Sequence, residues 1–189
     1  MDINTYDKSR YDKKGGVVPF VTHPRITSNI IDRHIGKAIP LMELCEINYV
    51  EELCKNIDIV FEWGGGGSTL YFSQFVKGWI SIESERLWYE LVRSKIKNKN
   101  NIFLYYEHDT QKYVDYIDNM RHGFDIIIVD GRWRVACAEK ALSSYSDIPI
   151  LFHDYFNHIE YHTIEDKYDL CIEKPTDGNM AIIKRGDVN

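Results

Sequence analysis

The run Ile59-Val60-Phe61-Glu62-Trp63, followed at once by Gly64-Gly65-Gly66-Gly67 and then Ser68-Thr69-Leu70, constrains the fold of this chain more than any other stretch. An apolar, β-branched run reads as a buried strand, the glycines permit a sharp turn with close backbone approach, and Ser68 or Thr69 can cap a following helix. Strand, glycine turn and helix in that order make a cradle for a nucleotide-like ligand. A phosphate loop would carry a Lys-Ser or Lys-Thr pair after its last glycine, and no lysine follows here. Glu62, just before the turn, would repel a polyphosphate but suits a ligand bearing an ammonium or sulfonium group. A flexible linker, the bland reading of adjacent glycines, would lack the strand before them and the helix signal after them.

From residue 57 onward the chain alternates strands with helices, the pattern of a parallel sheet covered on both faces. Strands are expected at 57–63, 78–83, 102–106, 124–129 and 150–153, with helices near 68–76, 85–98, 110–121 and 134–145 between them. Two last strands, 169–173 and 180–184, flank Pro175-Thr176-Asp177-Gly178-Asn179 and read as a hairpin. Upstream, Thr27 or Ser28 can cap a helix toward Lys37. Pro40 opens another, with Leu41, Leu44, Cys45, Val50, Leu53 and Cys54 on its apolar face. Residues 1–18 are polar and read as a mobile N-terminal arm, leaving 19–189 as one domain.

In open α/β sheets ligands sit outside the carboxyl ends of the strands. The residues just past each apolar run therefore converge on one crevice: Glu62 to Ser68, Glu83 to Glu85, Glu107 to Asp109, Asp130 to Arg132, and His153 to Tyr155. Acids recur at these stations, although any one of them read alone is as well explained as a helix cap.

Composition limits the class of function. The length of 189 residues, with 44% hydrophobic and 28% charged residues, fits a soluble domain with one core, and no apolar run is long enough to span a bilayer. Without an apolar segment in Met1–Lys14 no secretory signal is read, and a cytoplasmic location is expected. A net charge of −6 argues against a broad grip on nucleic acid. Cys45, Cys54, Cys137 and Cys171 lie far apart and read as thiols, not as a zinc site.

The motifs now assembled resemble the class I S-adenosylmethionine-dependent methyltransferase family over roughly residues 40–185. Glu62-Trp63-Gly64-Gly65-Gly66-Gly67-Ser68 is similar to its first motif, with Ser68 where a third glycine is commonest. Together with Val129-Asp130-Gly131-Arg132 and His153-Asp154-Tyr155, it is similar to a small single-domain branch whose substrates are mostly unassigned. The resemblance implies a Rossmann-like, mostly parallel seven-stranded sheet with helices on both faces and an antiparallel C-terminal strand. It implies S-adenosylmethionine as cofactor, held by Glu62, Gly64, Gly65, Gly66, Ser68, Thr69, Glu83, Ser84, Asp109 and Asp130. Within that set Glu83 would bind both ribose hydroxyls and Asp109 would lie near the adenine amino group.

For methyl transfer to oxygen, the acceptor hydroxyl must be aligned with the methyl group and its proton taken or weakened. Asp130, His153 and Asp154 are the expected catalytic residues, His153 as a general base, although a histidine finishing a strand fits its pattern equally well. In metal-dependent small-molecule O-methyltransferases acids at these two strand ends hold a divalent ion. The resemblance thus offers Asp130 and Asp154 as ligands of magnesium or manganese, although Tyr155 stands where an asparagine is usual and Asn157 or His158 would have to substitute. Arg132, Trp133 and Arg134 suit a carboxylate or a sugar ring, or else an arginine paired with Glu139 and a packed tryptophan. Trp88 suits stacking near adenine, or the core. His158, Tyr161 and His162 form a ring-rich loop over the acceptor side, and His23-Pro24-Arg25 a lid whose arginine reaches the methionine carboxylate. The expected partner is a small-molecule or glycan acceptor. The weighed alternatives are a non-catalytic scaffold, an RNA methyltransferase and a polyamine-synthase-like transferase, and oligomeric state is not legible.

Overall fold

Seven strands hydrogen-bond in the order β3-β2-β1-β4-β5-β7-β6. They are β1 (Ile59–Trp63), β2 (Gly78–Glu83), β3 (Ile102–Tyr106), β4 (Ile126–Val129), β5 (Ile150–Phe152), β6 (Leu170–Glu173) and β7 (Ala181–Arg185). A computed structural model describes residues 36–120 and 123–186. The arm at 1–18, the helix toward Lys37 for most of its length, and the His23-Pro24-Arg25 lid lie outside the described residues. Strands β1 to β5 are parallel, and β7 runs antiparallel to both β5 and β6. The mostly parallel seven-stranded sheet with a reversed final strand is thus as expected.

Central strands carry continuous apolar runs because both of their faces are covered. Phe61, Trp63, Ile80, Ile82, Ile127 and Val129 pack on one side with α4 (Thr110–Val114) and α5 (Arg134–Ser144). Val60, Trp79, Ile126, Ile128 and Leu151 pack on the other with Val50 and Cys54 of α1 (Leu44–Cys54) and Phe72 of α2 (Gly67–Phe72). Helix α3 (Arg86–Lys95) lies over a smaller cluster in which Trp88 packs near Leu70 and Val92. The Asp125 carboxylate accepts from the Asp58 and Ile59 amides and pins the entries of β4 and β1 together.

Several boundaries differ from the sequence reading. The helix expected over 110–121 is α-helical only to Val114 and continues as a 3-10 helix over Asp115–Asn119. Three-residue winding stacks Asp115 above Asp118, and both reach Lys140. Pro40 does not begin α1. The helix starts at Leu44 behind a capping box of Glu43 and Glu46, which leaves Leu41 and Leu44 exposed and buries Glu46 instead. No helix among the described residues is long and apolar enough to cross a membrane.

Candidate functional site

The strand order reverses direction between β1 and β4, and the crevice at that point is floored by glycine. Gly64 has φ 106°, and a Cβ there would lie 2.5 Å from the Gly131 amide nitrogen. Only glycine fits, because the two turns touch backbone to backbone. A Cβ on Gly65 would meet Ser81 Oγ at 2.9 Å, whereas one on Gly66 would meet nothing within 4 Å. The open side of the turn is therefore at Gly66.

Glu62 does not face that opening. Its side chain is fully buried and accepts hydrogen bonds from Ser68 Oγ, Thr69 Oγ1, Trp79 Nε1 at 2.8 Å and Ser81 Oγ at 2.8 Å. Ser81 is its in-register neighbour on β2. Burial raises the Glu62 carboxyl to about 7 even against those four donors. Glu62, Ser68 and Thr69, expected to touch the cofactor, instead fasten the glycine turn to the sheet. Thr69 Oγ1 also accepts from the Gly66 amide.

Glu83 ends β2 on the same side of the sheet. It is almost fully buried, accepts from the Glu85 amide, and burial lifts it to about 8, with the backbone amides of Glu85 and Ser84 opposing. Ser84 is buried beside it. Asp109 is exposed and caps α4 by accepting from the Lys112 amide at 3.0 Å, the bland reading of that acid. Arg132 pairs with Glu85 at 3.1 Å across the mouth of the crevice, not with Glu139, which pairs with Lys167. Trp133 packs edge-on to Tyr113.

The ends of β4 and β5 meet in a charged cluster. His153 Nδ1 lies 2.7 Å from Asp130 Oδ1 and 3.6 Å from Asp154 Oδ2, while Nε2 lies 3.3 Å from Glu46 Oε2. Burial works to lower the His153 pKa, but the charge and hydrogen bond of Asp130, the hydrogen bond of Glu46 and the charge of Asp154 carry it to about 10. His153 is an imidazolium with a carboxylate on each nitrogen, which corrects the general-base role. Burial would raise Asp130, yet His153 and Arg134 hold it below the usual carboxylate range.

Glu46 was not foreseen. Its Oε1 accepts from the Asn179 and Met180 amides at 2.6 and 3.0 Å, and Oε2 accepts from Glu43 at 3.0 Å. Burial opposes its ionisation, but His153 and the backbone donors hold it below the usual range. Its only sequence signal was the Glu43-x-x-Glu46 capping spacing. The expected ring-rich loop is two packed 3-10 turns, Tyr155–Asn157 and Ile159–Ile164. Tyr161 contacts Phe152 and Arg134, and His162 stacks on Tyr155 at 4.5 Å.

The acid pair does not fit a divalent ion as it stands. The Arg134 guanidinium already lies between them, 3.1 Å from Asp130 Oδ1 and 3.2 Å from Asp154 Oδ2, with His153 as a second cation. Among the described residues no group of three or more His, Cys, Asp or Glu side chains forms a metal site. Asp154 itself has φ 62°.

No protein-family model and no curated protein sequence matches this chain. Solved structures do resemble it. A methyltransferase-like protein from Silicibacter pomeroyi aligns with TM-score 0.63 at 22% identity, over 78% of this chain and 89% of its own. A caffeoyl-CoA O-methyltransferase candidate from Staphylococcus aureus gives 0.61 at 14% identity, over 85% and 93%. Cofactor-bound Rv0187 from MTB gives 0.63 at 14%, over 83% and 88%. The fold is that of the Rossmann-like methyltransferases. In this methyltransferase fold the Gly64–Gly67 turn, Glu83 and the Asp130–His153–Asp154 cluster stand at the carboxyl ends of four neighbouring strands, β1, β2, β4 and β5.

Proposed function

We propose that the protein is an S-adenosylmethionine-dependent O-methyltransferase acting on a hydroxyl of a small polar acceptor, a sugar or glycan end among them. The observation that carries this reading is Glu83, a buried acid ending β2 beside a turn whose open side is Gly66. A carboxylate there can accept two hydrogen bonds from vicinal hydroxyls, and the Gly65–Gly66 backbone leaves room for a ligand to approach. Cofactor-bound Rv0187 and the O-methyltransferase candidate share the fold and support the cofactor and the acceptor atom in turn.

When bound, S-adenosylmethionine supplies an electrophilic methyl group on a sulfonium. Glu83 and Ser84 would hold its ribose, and the Gly64–Gly66 backbone its neighbouring atoms. Asp130 remains ionised at neutral pH and is oriented through Oδ1 by His153 and Arg134. It is the group suited to accept a hydrogen bond from the acceptor hydroxyl and align it.

Calorimetry with S-adenosylhomocysteine tests the cofactor. Micromolar binding by wild type, weakened about tenfold or more in Glu83→Gln, is expected; no heat from folded protein with either form of the cofactor would sink the reading. A binding-only module is the second reading, favoured by one observation: both nitrogens of His153 are committed to carboxylates. Gain of one methylene in mass by any hydroxylated compound in an acceptor pool decides for the enzyme.

A further inference from the structure

Five oxygens surround one guanidinium at the ends of β4 and β5. Arg134 Nε donates to Gly131 O at 3.0 Å, Nη1 to His153 O at 2.6 Å and Asp154 Oδ2 at 3.2 Å, and Nη2 to Asp130 O at 3.2 Å, while Nη2 also forms an ion pair with Asp130 Oδ1 at 3.1 Å. The fork of an arginine has five N–H groups, and four hydrogen bonds to the protein engage all three of its nitrogens. Its position is also against the local field. Arg134 is the first residue of α5, where the helix dipole disfavours a cation, so the carboxylates must outweigh the dipole. Two residues in the left-handed region, Trp133 and Asp154, flank the contacts it makes. Such backbone persists only where surrounding bonds over-determine it.

We propose that Arg134 is a built-in cation, permanently filling the seat that the carboxylates of Asp130 and Asp154, with the carbonyls of Asp130, Gly131 and His153, would otherwise offer to a divalent ion. Carbonyl and carboxylate oxygens in this number are the donor set of a hard cation. A guanidinium takes the same set without a metal and fixes the two strand ends in one register through planar, directional bonds. Arg134 is thus a positioning residue: it sets the direction of the Asp130 carboxylate and the turn at Asp154 while touching no substrate itself.

The test reads stability and ion binding, so its outcome is separate from that of the cofactor titration. Wild-type protein is expected to show the same thermal midpoint with magnesium, manganese, calcium or a chelator at matched ionic strength, and to leave the manganese(II) electron-resonance signal unbroadened. Arg134→Lys keeps the charge but has too few donors, and its midpoint should fall by about 5–10 °C. Arg134→Ala should fall further and recover in part with millimolar guanidinium or calcium, though not with sodium, and the recovery should vanish when Asp154→Asn is added. Saturable manganese binding by wild type, a Lys variant melting with wild type, or a folded Ala variant indifferent to both guanidinium and calcium would each overturn the proposal. Should the Ala variant not fold, the wild-type titration and the Lys comparison still decide it.

Discussion

Replacing Glu62 with glutamine should change how stability varies with pH far more than it changes stability at any one pH. In the folded protein the carboxyl titrates at about 7 against an ordinary 4.5, because it is fully buried. The folded state therefore holds the proton more tightly than the unfolded chain does. Stability contributed by the neutral acid is complete below about pH 4.5 and is lost as pH rises through about 7. At about 1.4 kcal/mol per pH unit, ionisation costs the folded state about 3 kcal/mol by pH 8. Glutamine keeps one oxygen for the Trp79, Ser81 and Thr69 donors, and its amide can donate to Ser68, whose hydroxyl also accepts. The expected cost at about pH 5 is near 1 kcal/mol. By about pH 8 the variant should be more stable than wild type by ~2 kcal/mol. Denaturant unfolding across that range, followed by tryptophan fluorescence, measures the difference, in which His153 cancels and Glu83 does so apart from the charge of Glu62 it feels. Parallel curves for the two proteins would refute a buried, titrating Glu62. Glu62→Ala, by contrast, strands a buried Trp79 N–H and should lose about 4 kcal/mol or more at about pH 5, a deficit that narrows as the wild-type carboxyl ionises.

Other consequences follow from the same geometry. Glu83 titrates at about 8, so S-adenosylhomocysteine affinity should be level above that pH and weaken up to about tenfold per unit below it, a dependence that calorimetry should find absent in Glu83→Gln. His153, held at about 10, stabilises the fold fully below pH 6.5 and progressively less as pH climbs toward 10; His153→Gln should flatten that alkaline limb in unfolding curves. Gly131→Ala would set a Cβ 2.1 Å from Tyr113 Oη and 2.9 Å from the Gly64 nitrogen, and a loss of about 2–4 kcal/mol is expected in chemical unfolding.

The sheet was legible because each parallel strand is mostly apolar and is followed by a polar or glycine residue, with β4 an unbroken run. The glycine turn was equally plain, since few other residue choices allow backbone to lie on backbone. What the chain hid was direction. Glu62 reads as an acid at a cleft, but alternation along β1 turns it toward α2 and the polar edges of Trp79 and Ser81. His153 reads as a base until Glu46, on a helix far earlier in the chain, is folded against its second nitrogen. Likewise Asp130 and Asp154 fit a metal pair until the first turn of α5 brings Arg134 between them. Strand periodicity is local, whereas the charge state of a carboxylate or imidazole depends on neighbours that only tertiary packing supplies.

The contact of Gly64 with Gly131 divides the pocket into a rigid floor and an adjustable rim. With no side chain between those two turns, the floor cannot be widened or reshaped by substitution without pushing β1 and β4 apart. Adaptation to a different ligand would have to run through the periphery: the Glu85–Arg132 strap and the aromatic turns of 155–164. Engineering campaigns that spare the floor and the buried Tyr155 and Ile164, and vary only the more exposed positions of those two borders, should keep the protein folded while altering what it admits.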